Sequence, residues 1–83
     1  MKLTVLFFAR LRETLGCDAE TLVLPAGVGD IASLRDHLVA RGGAWQVLAG
    51  SSVRAAVNQD MATPDTALRD GDEVAFFPPV TGG

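Results

Sequence analysis

Hydrophobic and polar positions change rhythm several times along the chain, and each change marks an element. From Leu3 to Phe8 the residues are aliphatic, β-branched or aromatic without helical spacing, which predicts a strand ended by Arg10. Ala9 to Leu15 (ARLRETL) favours a short helix stopped at Gly16. Glu20 to Leu24 (ETLVL) alternates weakly and halts at Pro25, predicting a second strand hairpinned with the first. Asp30 then stands as an N-cap before Ile31, Leu34 and Leu38, which recur at helical spacing until Gly42 and Gly43 stop the run. Ala44 to Leu48 adds a short helical turn around Trp45. Val53 to Asn58 (VRAAVN) predicts a third strand, the RDGD stretch a turn with Gly71 at positive φ, and Glu73 to Phe77 (EVAFF) the last strand. Two strands, a main helix and at least two more strands in so short a chain fit an α+β roll of the β-grasp, or ubiquitin-like, kind. Its mixed sheet packs on one main helix. A ferredoxin-like arrangement needs a second full helix, for which the pattern offers no candidate.

Alternation within the strands leaves apolar residues on the wrong side. Leu3, Val5 and Phe7 share one face; Lys2, Thr4, Leu6 and Phe8 share the other. Lys2 and Thr4 mark that second face as the solvent side, yet Leu6 and Phe8 lie on it. In the last strand Val74 and Phe76 face one way, while Phe77 shares the outer face with Glu73 and Ala75. If the first and last strands are neighbours, as a β-grasp sheet requires, Phe8 and Phe77 form an apolar patch, and Met61 lies just beyond the third strand where it can join them. Each such side chain contributes roughly 1.5–3 kcal/mol when fully buried. Either the short helix at Ala9 to Leu15 covers the patch or a docking partner does; the sequence leaves both open.

Composition narrows the setting. With 83 residues the chain is read as one domain, 1–83, with a tail over 78–83. Hydrophobic residues at 48% and charged residues at 20% are ordinary for a soluble globular protein. A net charge of −3 without any run of Lys or Arg argues against nucleic acid and anionic membranes as partners. Asp60, Asp65, Asp70, Asp72 and Glu73 are opposed only by Arg69 in the final third, which predicts a mildly acidic surface near the tail, matched to a basic partner. Cys17 is the single cysteine, so no internal disulfide forms, and the apolar run at the start is too short for a signal sequence or a membrane span. The expected location is the cytoplasm.

The chain closes on FFPPVTGG. Pro78 and Pro79 stiffen the base of this segment and cannot continue a strand interior, so Val80, Thr81, Gly82 and Gly83 project from the sheet. Fully extended, the segment from Phe77 reaches roughly 20 Å at about 3.3 Å per residue. Two terminal glycines carry no side-chain bulk, a shape suited to a narrow tunnel in another protein with the Gly83 carboxylate arriving first. That carboxylate is ionised and inert at neutral pH. It becomes an acyl donor only after activation, for instance as a mixed anhydride with AMP. A frayed terminus is the plainer reading of Gly-Gly alone; the stiff base and the neighbouring apolar patch favour the tunnel.

LFFARLRE near the start, AAVNQ in the middle and LRDGDEVAFFPPVTGG at the end resemble the small subunit of molybdopterin synthase, the MoaD family of sulfur carriers. The resemblance runs over nearly the whole chain, and its last sixteen residues are its most specific part. It implies a β-grasp carrier whose terminal Gly83 is adenylated by an ATP-using activating enzyme of the MoeB type and converted to a thiocarboxylate. It further implies insertion of Pro78 to Gly82 into the large catalytic synthase subunit and donation of the sulfur to cyclic pyranopterin monophosphate. Two transfers build the molybdopterin dithiolene, in a heterotetramer with two carriers at the ends of a large-subunit dimer. By position, the family's docking contacts fall on Phe8, Met61 and Phe77, with Met61 standing where a larger aliphatic is common. No cofactor is bound by the carrier itself; it is a sulfur-donating subunit and no enzyme on its own.

Other residues suggest chemistry less well. Cys17 has no group nearby to lower its pKa, and Asp18 raises it. His37 has no second His or Cys at ligand spacing, so no metal site is expected. Asp70 and Asp72 flank Gly71 as a turn rather than a calcium loop. Arg10 and Arg12 either meet a partner's acids or solvate the short helix. Three further roles remain open for a Gly-Gly carrier: a thiamin thiazole type of sulfur carrier, a ubiquitin-like modifier joined to target lysines, and a structural adaptor.

Overall fold

In a computed structural model, which describes residues 1–78, the chain runs β1 (Lys2–Phe7), α1 (Ala9–Leu15), β2 (Ala19–Val23), α2 (Ile31–Val39), a 3-10 helix (Gly43–Ala49), β3 (Arg54–Val57), β4 (Asp60–Ala62) and β5 (Glu73–Phe77). The strands form one mixed sheet in the order β2-β1-β5-β3-β4. β1 and β5 are parallel neighbours, and every other pairing is antiparallel. This is the expected β-grasp roll, with α2 laid across one face.

Local chemistry explains the elements. The Asp30 carboxylate accepts from the Ser33 N–H at 2.8 Å, while the Ser33 hydroxyl accepts from the Asp30 N–H, so both ends of a capping box are closed. Two further helix-start donors are satisfied from the returning chain: Ile31 N–H donates to the Thr66 carbonyl and Ala32 N–H to that of Pro64. α2 then buries Ile31, Leu34 and Leu38 against Leu3, Val5, Phe7, Val74 and Phe76. α1 ends where Gly16 takes a left-handed conformation, and it turns Leu11 into the same core.

Aromatic stacking continues the core sideways. Phe7 lies 6.2 Å from Phe76 in a near-parallel stack and meets Trp45 edge-on at 5.5 Å. The Arg41 guanidinium sits 4.5 Å over the Trp45 ring and grips Glu20 with two hydrogen bonds of 2.8 and 2.9 Å. Glu20 pairs with Val5 in register, so this carboxylate belongs to the helix-covered side of the sheet at its β2 edge. Arg41 compensates it and holds its carboxyl below the usual range, first through the hydrogen bonds. A charge turned inward on an edge strand also discourages pairing with another chain.

The strand β4 was not expected. Asn58 and Gln59 both adopt positive φ, 50° and 73°, and join β3 to β4 by a two-residue hairpin with Val57 opposite Asp60. Such turns are usually signalled by a glycine, and none is present here. Left-handed backbone costs a non-glycine residue about 1–2 kcal/mol. Gln59→Gly should therefore raise the unfolding free energy by about 1 kcal/mol in a urea titration; an unchanged or lower midpoint would contradict the turn.

Candidate docking face and tail root

The register places an apolar row across the open face of the sheet. Leu6 lies opposite Ala19 on one side and Ala75 on the other; Ala75 lies opposite Ala56, and Ala56 opposite Met61. A polar row borders it below, with Thr4 paired to Thr21 and Glu73. Above it Phe77 pairs with Arg54, and Phe8 follows directly on β1.

Phe8 is 46% exposed and Met61 67%, whereas Phe77 is half-buried at the end of β5. Because α1 directs Leu11 into the core, Phe8 stays uncovered. The chain reverses direction sharply here. The Phe8 backbone is extended and its N–H donates to the Phe76 carbonyl at 3.1 Å, while Ala9 has a φ of 53°. A non-glycine residue in that region stores strain, and such strain recurs at functional surfaces. Ala9 thus sets the sharp junction from which Phe8 stands outward beside the end of β5.

Pro78, the first residue of the expected tail, is half-buried next to Phe77. Pro79, Val80, Thr81, Gly82 and Gly83 lie outside the described residues. The side chains that alternation had put outside, Phe8 and Phe77, come to one end of the sheet. Met61 lies at the far edge of the apolar row, carried there by β4. Sequence reasoning missed Val23, 80% exposed on the outer face of the β2 edge, because the weak alternation of that strand gave no face to assign.

Two of the acids of the final third, Asp70 and Asp72, stand away from the end of β5. Asp70 accepts from the Lys2 N–H at 2.7 Å, Thr4 N–H donates to the Asp72 carbonyl, and the Asn58 amide donates to the Asp72 carboxylate. All of these lie where β5 begins, a full strand away from Phe77. Nearness in sequence misled because the strand itself separates the two ends. Beside Phe77 stands Arg54 instead.

The ThiS family matches residues 5–83. The chain belongs to the ThiS family. This ThiS-family chain is 48% identical over 80 residues to the molybdopterin synthase sulfur carrier subunit of Escherichia coli K12, covering 95% of this chain and 96% of that one. Among solved structures it is similar to SAMP1, small archaeal modifier protein 1, of Haloferax volcanii, with a TM-score of 0.81, 26% identity and full coverage of both chains. It is also similar to a chain in the complex of subunits 1 and 2 of the molybdopterin-converting factor of Helicobacter pylori, with a TM-score of 0.70, 26% identity and full coverage of both.

Among the described residues, no helix is long and apolar enough to cross a membrane, and no three His, Cys, Asp or Glu side chains gather as a metal site. Cys17 is half-buried, and its thiol is pushed above the ordinary range by burial first, then by the Glu20 and Asp18 carboxylates. Only the thiolate is a nucleophile. Iodoacetamide should therefore label Cys17 more slowly than free cysteine at neutral pH and catch up only in alkaline solution. Labelling faster than free cysteine would make this thiol a candidate reactive group.

Proposed function

We propose that this chain is the sulfur carrier subunit of molybdopterin synthase, acting in molybdenum cofactor biosynthesis. The observation that carries the reading is the similarity over nearly its full length to a subunit of that name. The geometry accords with it. The last strand lies between β1 and β3, so the chain leaves the sheet at an end flanked by Phe8 and Phe77.

On this reading an ATP-using activating enzyme of the MoeB type adenylates the Gly83 carboxylate, which makes AMP the leaving group. The outer sulfur of a persulfide donor then displaces AMP to give an acyl disulfide, and a second thiol attacks the donor-side sulfur, releasing the thiocarboxylate and leaving the donor as a disulfide. A thioacid ionises far more readily than a thiol, so its sulfur is a nucleophile at neutral pH. Pro78 to Gly82 carry it into the large catalytic subunit, where exclusion of water protects the acyl intermediates. The sulfur goes to cyclic pyranopterin monophosphate, and two such transfers complete the dithiolene. This chain binds no cofactor and supplies no acid–base machinery; the large subunit does the catalysis. The likeness of this chain to one chain of the molybdopterin-converting factor complex of subunits 1 and 2 supports such a partner. Phe8, Met61 and Phe77 form the surface that docks.

The likeness to small archaeal modifier protein 1 favours a second reading, attachment of Gly83 to lysines of other proteins. Intact-mass measurement of the protein from its own cells, with fragmentation, separates the two. A gain matching one oxygen replaced by sulfur at Gly83 is the expected result; Gly83 joined to a target lysine would install the modifier reading instead. Phe77→Asp should leave the fold intact yet weaken binding to the large subunit by at least about tenfold, given the roughly 1.5–3 kcal/mol that such a side chain contributes when buried. Unchanged binding by calorimetry would remove Phe77 from the docking surface.

A further inference from the structure

One cation stands between Phe77 and Met61 on the apolar face. β3 alternates so that Ala55, opposite the buried Phe76, faces the helix, which turns Arg54 and Ala56 to the open side. Arg54 lies directly opposite Phe77, and Met61, the partner of Ala56, is its diagonal neighbour on β4. Residues so placed have Cβ atoms about 5 Å apart across the pair and about 7–8 Å on the diagonal. Arg54 is exposed, and among the described residues no carboxylate lies within ion-pair distance of it; the ion pair found there joins Arg41 to Glu20. Asp65, beyond the end of β4, is engaged by the Thr63 hydroxyl. Glu73 shares the open face with Phe77 but begins β5, which Phe77 ends.

We infer that Arg54 is a specificity-determining residue of the docking face, and that it receives a carboxylate side chain of the large subunit. The inference rests on the carrier reading for the identity of the partner, and it adds what that partner's surface must present. A protein that covers Phe77 and Met61 also strips water from the residue between them. Guanidinium has donors only and stays charged at any working pH, so stripping it without an acceptor is costly. A backbone carbonyl would occupy one donor and leave the charge. A carboxylate meets the planar fork with two oxygens and neutralises it. Phosphate would serve as well, but an extended tail carries Gly83 and any nucleotide on it roughly 20 Å from Phe77, at about 3.3 Å per residue. The acid at Arg54 therefore comes from the docked protein. Apolar burial supplies affinity without direction, whereas a forked ion pair fixes how the carrier is turned about its tail.

The test is calorimetry of the intact chain against the large subunit at low and high salt. Arg54→Leu is the decisive variant, because it extends the apolar patch while removing the charge. If the partner presents a carboxylate, that group is left buried and unpaired, and affinity should fall by about thirtyfold or more. If the partner is apolar there, Arg54→Leu binds as well as wild type or better, which overturns the inference. Arg54→Gln keeps a polar surface and should lose affinity too, which covers self-association of the Leu variant. Arg54→Lys keeps the charge without the fork and should lose less than either. Added salt should weaken the wild-type complex more than that of Arg54→Leu; equal salt dependence counts against a charged occupant. Arg69→Leu, at the other end of the sheet, should change affinity less than about twofold, as should Asp65→Asn. An Asp65→Asn loss as large as that of Arg54→Leu would put the arginine's partner inside this chain and overturn the inference. A wild-type chain that forms no complex overturns the carrier reading and this inference with it, whereas a complex indifferent to Arg54 overturns the inference alone.

Discussion

Bringing the first strand beside the last closes a loop of roughly seventy residues, from Thr4 to Glu73, before any of its contacts can form. The entropy of that closure is about 4 kcal/mol beyond a constant. It is recovered by the hydrophobic layer that the pairing creates, in which Val5 meets Val74 and Phe7 meets Phe76, all of them buried. Everything near the tail depends on this parallel pair. It decides that β5 is an interior strand, that Phe8 and Phe77 lie at one end of the sheet, and that Arg54 rather than Arg69 stands beside the exit. Parallel strands also need a long crossover, and here the crossover contains the rest of the protein.

From that pair the molecule acquires two unlike ends. Where β1 and β5 begin, polar groups answer one another: the Lys2 N–H donates to the Asp70 carboxylate, the Thr4 N–H to the Asp72 carbonyl, and the Asn58 side-chain amide to the Asp72 carboxylate. The polar groups there are already engaged within the chain. Where the two strands finish, the surface holds an exposed phenylalanine, a half-buried one and arginines without acidic partners among the described residues. One end is satisfied internally, and the other offers apolar area and positive charge to something outside. This asymmetry is what a carrier needs if a single end is to face each partner in turn.

Much of this was legible in the residues. The β-branched and aromatic runs announced β1 and β5, and Asp30 with the Ile31, Leu34 and Leu38 spacing announced α2, because those signals are local. Strand alternation also put Phe8 and Phe77 on the outer face before any neighbour was known. What stayed hidden was set by pairing. β4 has only three residues and follows a hairpin without glycine, so neither length nor turn chemistry betrayed it. Asp70 and Asp72 looked close to the tail in sequence, yet the length of β5 separates them from Phe77. Residues 79–83 are a separate matter, since the expectation for the tail rests on composition and resemblance.

The aromatic line that runs from Trp45 through Phe7 to Phe76 has an optical meaning as well as a mechanical one. Trp45 is the only tryptophan in a chain that has no tyrosine at all. Its indole is pressed edge-on against Phe7 and roofed by the Arg41 guanidinium. Ultraviolet emission from this protein therefore comes from one place, two rings away from the strand residue that precedes Phe77. Light absorbed there reads the packing beneath the working end of the sheet, with no dye attached and no other chromophore of its kind to blur the signal.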